Sequence, residues 1–155
     1  MKRRELFKKL GLVSAGVMVG SSLLSPSEAM AQDTSKEKLI INRNRMGFAD
    51  PKNPTKFEQK HTPEINFGEK DPKGFTKVFI TIGQAGIIHP TEENHWIDFM
   101  MIYKNKQLIS NTIFENGPIR GYADHFISLK KGDTIKVEIG CNLHGIWENT
   151  LTYNS

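Results

Sequence analysis

The chain has 155 residues, with 21 Lys and Arg against 17 Asp and Glu, five His and a single Cys. That length suits one folded domain and leaves little room for a second core. Residues 1–31 carry five of the basic and two of the acidic residues, so 16 basic and 15 acidic remain beyond them. The formal charge of +4 is therefore mostly a property of the N-terminus. No basic stripe is left to argue for a nucleic-acid partner.

The N-terminus opens with Lys2, Arg3, Arg4, Lys8 and Lys9. An apolar run over Leu10–Leu24 follows, diluted by Gly11, Gly16 and Gly20, and ends at Ala29-Met30-Ala31. Basic, apolar, then small residues is the order of a secretory signal, and the run is too short and too rich in glycine for a good spanning helix. Arg3-Arg4-Glu5-Leu6-Phe7-Lys8 resembles the twin-arginine export motif. That resemblance implies export of a folded protein to the periplasm, with cleavage near Ala31/Gln32. Three regions are expected: a signal at 1–31, an arm and loop at 32–56, and a folded domain at 57–155.

Gln32–Lys38 is polar and reads as a loose arm. Leu39-Ile40-Ile41 offers a short strand, and Asn42–Lys56, rich in Asn, Arg, Lys and Pro, reads as loop. Thr76–Ile82 alternates and is β-branched, which predicts a half-buried strand. Trp96–Tyr103 is more continuously apolar, as a central strand is. A tight turn at Lys104-Asn105 sends Gln107–Phe114 back, and Asn116-Gly117-Pro118 breaks the run. His125–Leu129, Lys131-Gly132-Asp133 and Thr134–Ile139 read as a hairpin, and Trp147–Tyr153 as a last strand. No segment beyond residue 31 offers ten residues of helical period with caps. About seven short strands predict an all-β fold, an immunoglobulin-like antiparallel β-sandwich.

The histidines are grouped. His89 and His95 bracket His89-Pro90-Thr91-Glu92-Glu93-Asn94-His95. Cys141 and His144 bracket Cys141-Asn142-Leu143-His144-Gly145, and His61 sits in Lys60-His61-Thr62-Pro63. All three stretches fall at strand ends or in loops, where a rigid sandwich displays its functional groups. A lone thiol in an oxidising compartment calls for intermolecular pairing, a reactive role or a metal. One histidine alone is an ordinary packing residue. Four of them with the sole cysteine, on three loops, point to a metal site.

These three motifs, extended through Trp96-Ile97 and Ile146-Trp147, resemble superoxide reductases of the neelaredoxin and desulfoferrodoxin type, in order and in spacing, over most of residues 57–150. The resemblance implies one mononuclear iron held by His61, His89, His95 and His144, with Cys141 as the axial thiolate and the opposite position open. It implies reduction of superoxide to hydrogen peroxide with electrons from a donor that the sequence does not identify. Lys60 would attract the anion and help supply a proton, as the catalytic side chain. Relatives form dimers or tetramers, so a homo-oligomer is expected.

One position departs from the family. Gln59 stands where a glutamate usually precedes the first ligand histidine, and Glu58, one residue further back, would serve as a sixth ligand through a one-residue loop shift. The alternative favoured by that departure is a ferric site that keeps water or hydroxide. With one cysteine, a second iron held by four thiolates is excluded. His125 matches no motif and reads as structural. Rival readings of the same site are a periplasmic redox sensor or an electron-transfer metalloprotein. A blue-copper centre lacks its methionine, since the last in the chain is Met101.

Overall fold

The computed structural model describes residues 34–155; the signal and cleavage readings lie outside them. Seven strands form two antiparallel sheets, as the sequence predicts. One sheet has three strands in the order β1 (Pro63–Lys70), β2 (Thr76–Ile82) and β5 (Tyr122–Ile127). The other has four, in the order β4 (Gln107–Ile113), β3 (Ile97–Lys104), β6 (Thr134–Cys141) and β7 (Gly145–Thr152).

Side-chain alternation dictates which faces meet. In β2, Thr76, Val78, Ile80 and Ile82 are buried while Lys77, Phe79 and Thr81 are partly exposed. Strand β6 is inside a four-stranded sheet, and its last five residues, Val137 to Cys141, are all buried. Met100, Ile102, Ile135, Val137, Ile139 and Trp147 fill the space between the sheets with the β2 side chains, and Cys141 belongs to the same cluster. Asn105 and Lys106 both have positive φ, 48° and 72°, the backbone of a two-residue hairpin turn that matches strand twist.

The structure revises three local expectations. Residues 125–139 are not a hairpin. Strand β5 pairs with β2 and β6 pairs with β3 and β7, so Ser128–Asp133 crosses from one sheet to the other, pinned by the buried Leu129. Leu39–Ile41 forms no strand, although the amides of Ile41 and Asn42 bond to the carbonyl of Asn142. The loop assigned to 42–56 gives way at its end to a helix, α2 (Lys56–His61), preceded by a single turn, α1 (Thr34–Glu37), in the polar arm.

Helix α2 is short but well determined. Thr55 accepts from the Glu58 amide at 3.2 Å and Glu58 reaches back to the Thr55 amide at 2.7 Å. This reciprocal capping box satisfies two donors that a helix start leaves open. Six residues are too few to stand alone; the cap and the packing of Phe57 and His61 hold them.

Candidate metal centre

Strand pairing brings the three motifs to one end. Pro63 faces Ile82, so the exit of α2 lies beside the exit of β2. Ile97 faces Cys141, and Cys141 faces Gly145, which sets the start of β3 beside the turn from β6 to β7. His61 ends α2, His89 and His95 lie between β2 and β3, and Cys141 and His144 flank the last turn.

The four imidazoles form a closed ring. Neighbouring centroids are 4.9 Å apart for His61–His89, 4.7 Å for His89–His95, 4.9 Å for His95–His144 and 4.6 Å for His144–His61. The diagonal His61–His95 is 6.2 Å. Each neighbouring pair is steeply inclined, at 70–77°. One donor atom each from His61, His89, His95 and Cys141 lies within 4.8 Å of the others. His144 joins them through Nδ1, 2.9 Å from His61 Nε2 and 3.4 Å from Cys141 Sγ.

The rings of His61 and His89 are each oriented by a backbone carbonyl. His61 Nδ1 is 2.6 Å from the Phe57 carbonyl one turn back in α2, and His89 Nδ1 is 2.6 Å from the Pro90 carbonyl. As donors to those carbonyls, both rings carry the proton on Nδ1 and leave Nε2 as the ligating nitrogen. Trp147 stacks on His61 at 5.4 Å and 20°. His89 is further fixed by its amide bond to the Ile82 carbonyl, across a turn that requires Gly83: its φ is +108°, and a Cβ there would stand 1.9 Å from the Ile87 carbonyl oxygen. His95 is held by paired backbone bonds with Glu92 at 2.9 and 3.2 Å.

Asn142 ties the loops together. Fully buried, it accepts from the Trp96 amide and donates to the carbonyls of Asn94 and Leu39, each at 3.0 Å. Thus the turn bearing Cys141 and His144 is locked to the segment bearing His95.

Electrostatics favour uncharged imidazoles. Burial pushes the pKa of His61 down to about 4 and that of His89 down to about 3, and lowers those of His95 and His144. Burial raises that of the Cys141 thiol, against hydrogen bonds from the Leu143 and His144 amides. Lys60, half-buried on α2, acts on all five: its positive charge is a smaller contribution depressing each. Neutral imidazole is the ligating form, and metal binding would expel the thiol proton.

The donor chemistry fits a resident metal ion. Nε2 of His89 and of His95 is buried without a hydrogen-bond partner, a costly condition that a ligated ion removes. Nitrogen and sulfur donors without a carboxylate suit a transition metal, not calcium or magnesium. Both oxygens of Glu58 are engaged elsewhere: Oε1 accepts from the Ala49 amide at 2.7 Å, and Oε2 from the Thr55 amide and hydroxyl at 2.7 and 2.8 Å. Glu58 is thus a capping residue, not one of the converging donors. His125 sits on β5 opposite Val78, apart from the ring.

Fold and site define a β-sandwich metalloprotein with a histidine and cysteine centre. The chain belongs to the desulfoferrodoxin family, which matches residues 53–150, and its donor set fits that family's mononuclear iron site. A Methanocaldococcus jannaschii protein, provisionally named a superoxide reductase, is 30% identical over 111 residues, 70% of this chain and 88% of that one. A solved superoxide reductase (neelaredoxin) from Ignicoccus hospitalis is 27% identical with a TM-score of 0.51, covering 61% of this chain and 80% of that one. The fold also matches a superoxide reductase from Nanoarchaeum equitans, at 20% identity and a TM-score of 0.54 over 73% of this chain and 100% of the other.

Proposed function

We propose that this chain is a superoxide reductase, using the site at His61, His89, His95, Cys141 and His144 with Lys60 beside it. In the overall reaction, superoxide takes one electron and two protons and becomes hydrogen peroxide; the electron comes from an external one-electron donor. The observation that carries this reading is the closed ring of four imidazoles with the chain's lone thiol against it. An iron ion bound there would supply the one-electron couple.

The protein's own groups do the rest. The Leu143 and His144 amides hold the sulfur and stabilise its anionic form. Lys60 places a cation beside the site, which raises the encounter rate of an anionic substrate. Trp147 and the capped α2 fix His61, so the ring is set before the metal arrives.

The export of the chain to the periplasm under a twin-arginine signal at 1–31, and a donor resident there, are part of the proposal and rest on sequence alone. Self-association into a dimer or tetramer is supported by the exposed Leu108, Ile109 and Ile113 on the edge strand β4.

The test is iron analysis with an optical spectrum of the oxidised protein, followed by superoxide consumption with an added reductant. One iron per chain, a thiolate charge-transfer band lost in Cys141→Ser, and catalytic consumption without oxygen release are expected. An iron site that reduces no superoxide beyond one equivalent would leave a sensor or electron carrier and refute the enzyme.

A further inference from the structure

We propose that the Arg43–Asp98 ion pair, whose carboxylate is buried, is a positioning element that sets the reduction potential of the centre from behind its thiolate. The inference rests on the metal reading above and deepens it.

Asp98 is the second residue of β3 and only 7% exposed. Its carboxylate lies against Gly140, the residue before Cys141: a Cβ on Gly140 would come within 2.6 Å of Asp98 Oδ1. Glycine at 140 is what lets the charge approach the ligand strand so closely. The chain neighbour of Asp98, Ile97, faces Cys141 across the strand pair, so the carboxylate stands directly behind the ligand residue.

Arg43 closes over Asp98 with two contacts, Nη1 to Oδ1 at 3.3 Å and a shorter one from Nη2 to Oδ2. This two-pronged geometry holds the carboxylate in its charged form, against burial, which pushes the Asp98 pKa up. Arg43 also lies over the Phe99 ring at 5.7 Å. It comes from the arm outside the family-matched span, which begins at residue 53. The same arm is bonded to the ligand turn: the Ile41 amide to the Asn142 carbonyl at 2.9 Å, and the Ile146 amide to the Asn44 carbonyl at 2.8 Å. The arm therefore brings a cation to a fixed place behind the site.

The electrostatic consequence has a sign. A negative charge near the centre favours the oxidised, more positive state and lowers the potential; the arginine offsets part of that effect. In a partly dry interior such charges act strongly over several ångströms.

The experiment is a redox titration of the iron-loaded full chain, followed by the visible absorption of the oxidised form. Asp98→Asn should move the midpoint to more positive potential. At high pH, where Asp98 keeps its charge without its partner, Arg43→Gln should move it the other way, and Arg43→Lys should return it toward the unsubstituted protein. Asp124→Asn, which breaks the Lys77–Asp124 pair on the other sheet, should leave it where it was. Shifts no larger than that control, or shifts of the same sign in both Asp98→Asn and Arg43→Gln, overturn the inference. If Asp98→Asn does not fold, the two Arg43 variants decide, because that side chain is 40% exposed. Absence of iron or of the thiolate band in the unsubstituted chain instead refutes the metal reading itself.

Discussion

Asn142→Leu is the most informative perturbation of the scaffold. The substitution keeps roughly the size of the side chain and removes three hydrogen bonds, from the Trp96 amide and to the Asn94 and Leu39 carbonyls. A hydrogen bond is worth about 1–1.5 kcal/mol net, and more where its partner is left buried and unpaired. The loss is then roughly 4 kcal/mol. For a domain of this size each kcal/mol moves Tm by about 3–5 °C, so melting should fall by roughly 12–20 °C. The assay is calorimetry on the metal-free protein, which removes the contribution of ligand binding. Asn142→Asp sharpens the reasoning: it retains an acceptor for the Trp96 amide but sets a carboxylate against two carbonyl oxygens. It should be no more stable than Asn142→Leu. A drop under about 5 °C for Asn142→Leu, or near-normal stability for Asn142→Asp, would refute the role assigned to these bonds.

Glu58→Ala should uncap α2 and lower stability while leaving the ferric absorption maximum in place; a large spectral change would make Glu58 a ligand after all. Its folded-state pKa is lowered, first by the Ala49 and Thr55 amides, so its contribution is full above about pH 4.5 and fades as pH falls through the lower folded value. In metal-free protein, His61 and His89 titrate at about 4 and about 3 when folded, chiefly through burial, and at 6.5 ordinarily. Between those limits the unfolded chain binds protons that the folded one refuses, so stability must fall on acidification from pH 6.5 toward 3; equal urea midpoints at pH 7 and pH 5 would contradict this. Lys60→Met should cut kcat/KM for superoxide several-fold and flatten its ionic-strength dependence, with Lys60→Arg close to normal. Gly145→Ala forces a side chain onto a backbone with φ of +84° and a Cβ to 2.5 Å from the Asn44 carbonyl; a destabilisation of at least about 1–3 kcal/mol in denaturant melts is expected.

The sandwich was legible because its strands announce themselves by alternation, as Thr76–Ile82 does, and by turn residues between them. Pairing partners were not. Thr134–Ile139 follows His125–Leu129 across Lys131-Gly132-Asp133, a spacing that suits a hairpin as well as it suits a crossing between sheets. Only the burial of Leu129 at the crossing and the neighbours of β6 on both sides decide it. Strand β1 escaped because it begins with a proline and has only Ile65 and Phe67 as its apolar face. Helix α2 had a signal after all, Thr55 three residues before Glu58. That pattern explains why the helix exists and why both Glu58 oxygens are engaged at its cap and at the Ala49 amide.

The site divides along the same line. Its donors stand in short local motifs at strand ends, so sequence spacing alone could collect them. The groups that hold and bias the donors act over long separations, 103 residues from Leu39 to Asn142 and 55 from Arg43 to Asp98, and no periodicity reports such pairs. A consequence follows for the arm at residues 39–46. It lies outside the family-matched span, yet it supplies a carbonyl to Asn142, a carbonyl to the Ile146 amide and a cation to Asp98. The ligand motifs lie inside the family-matched span, while part of the bonding and charge around the turn at Cys141 comes from arm residues outside it.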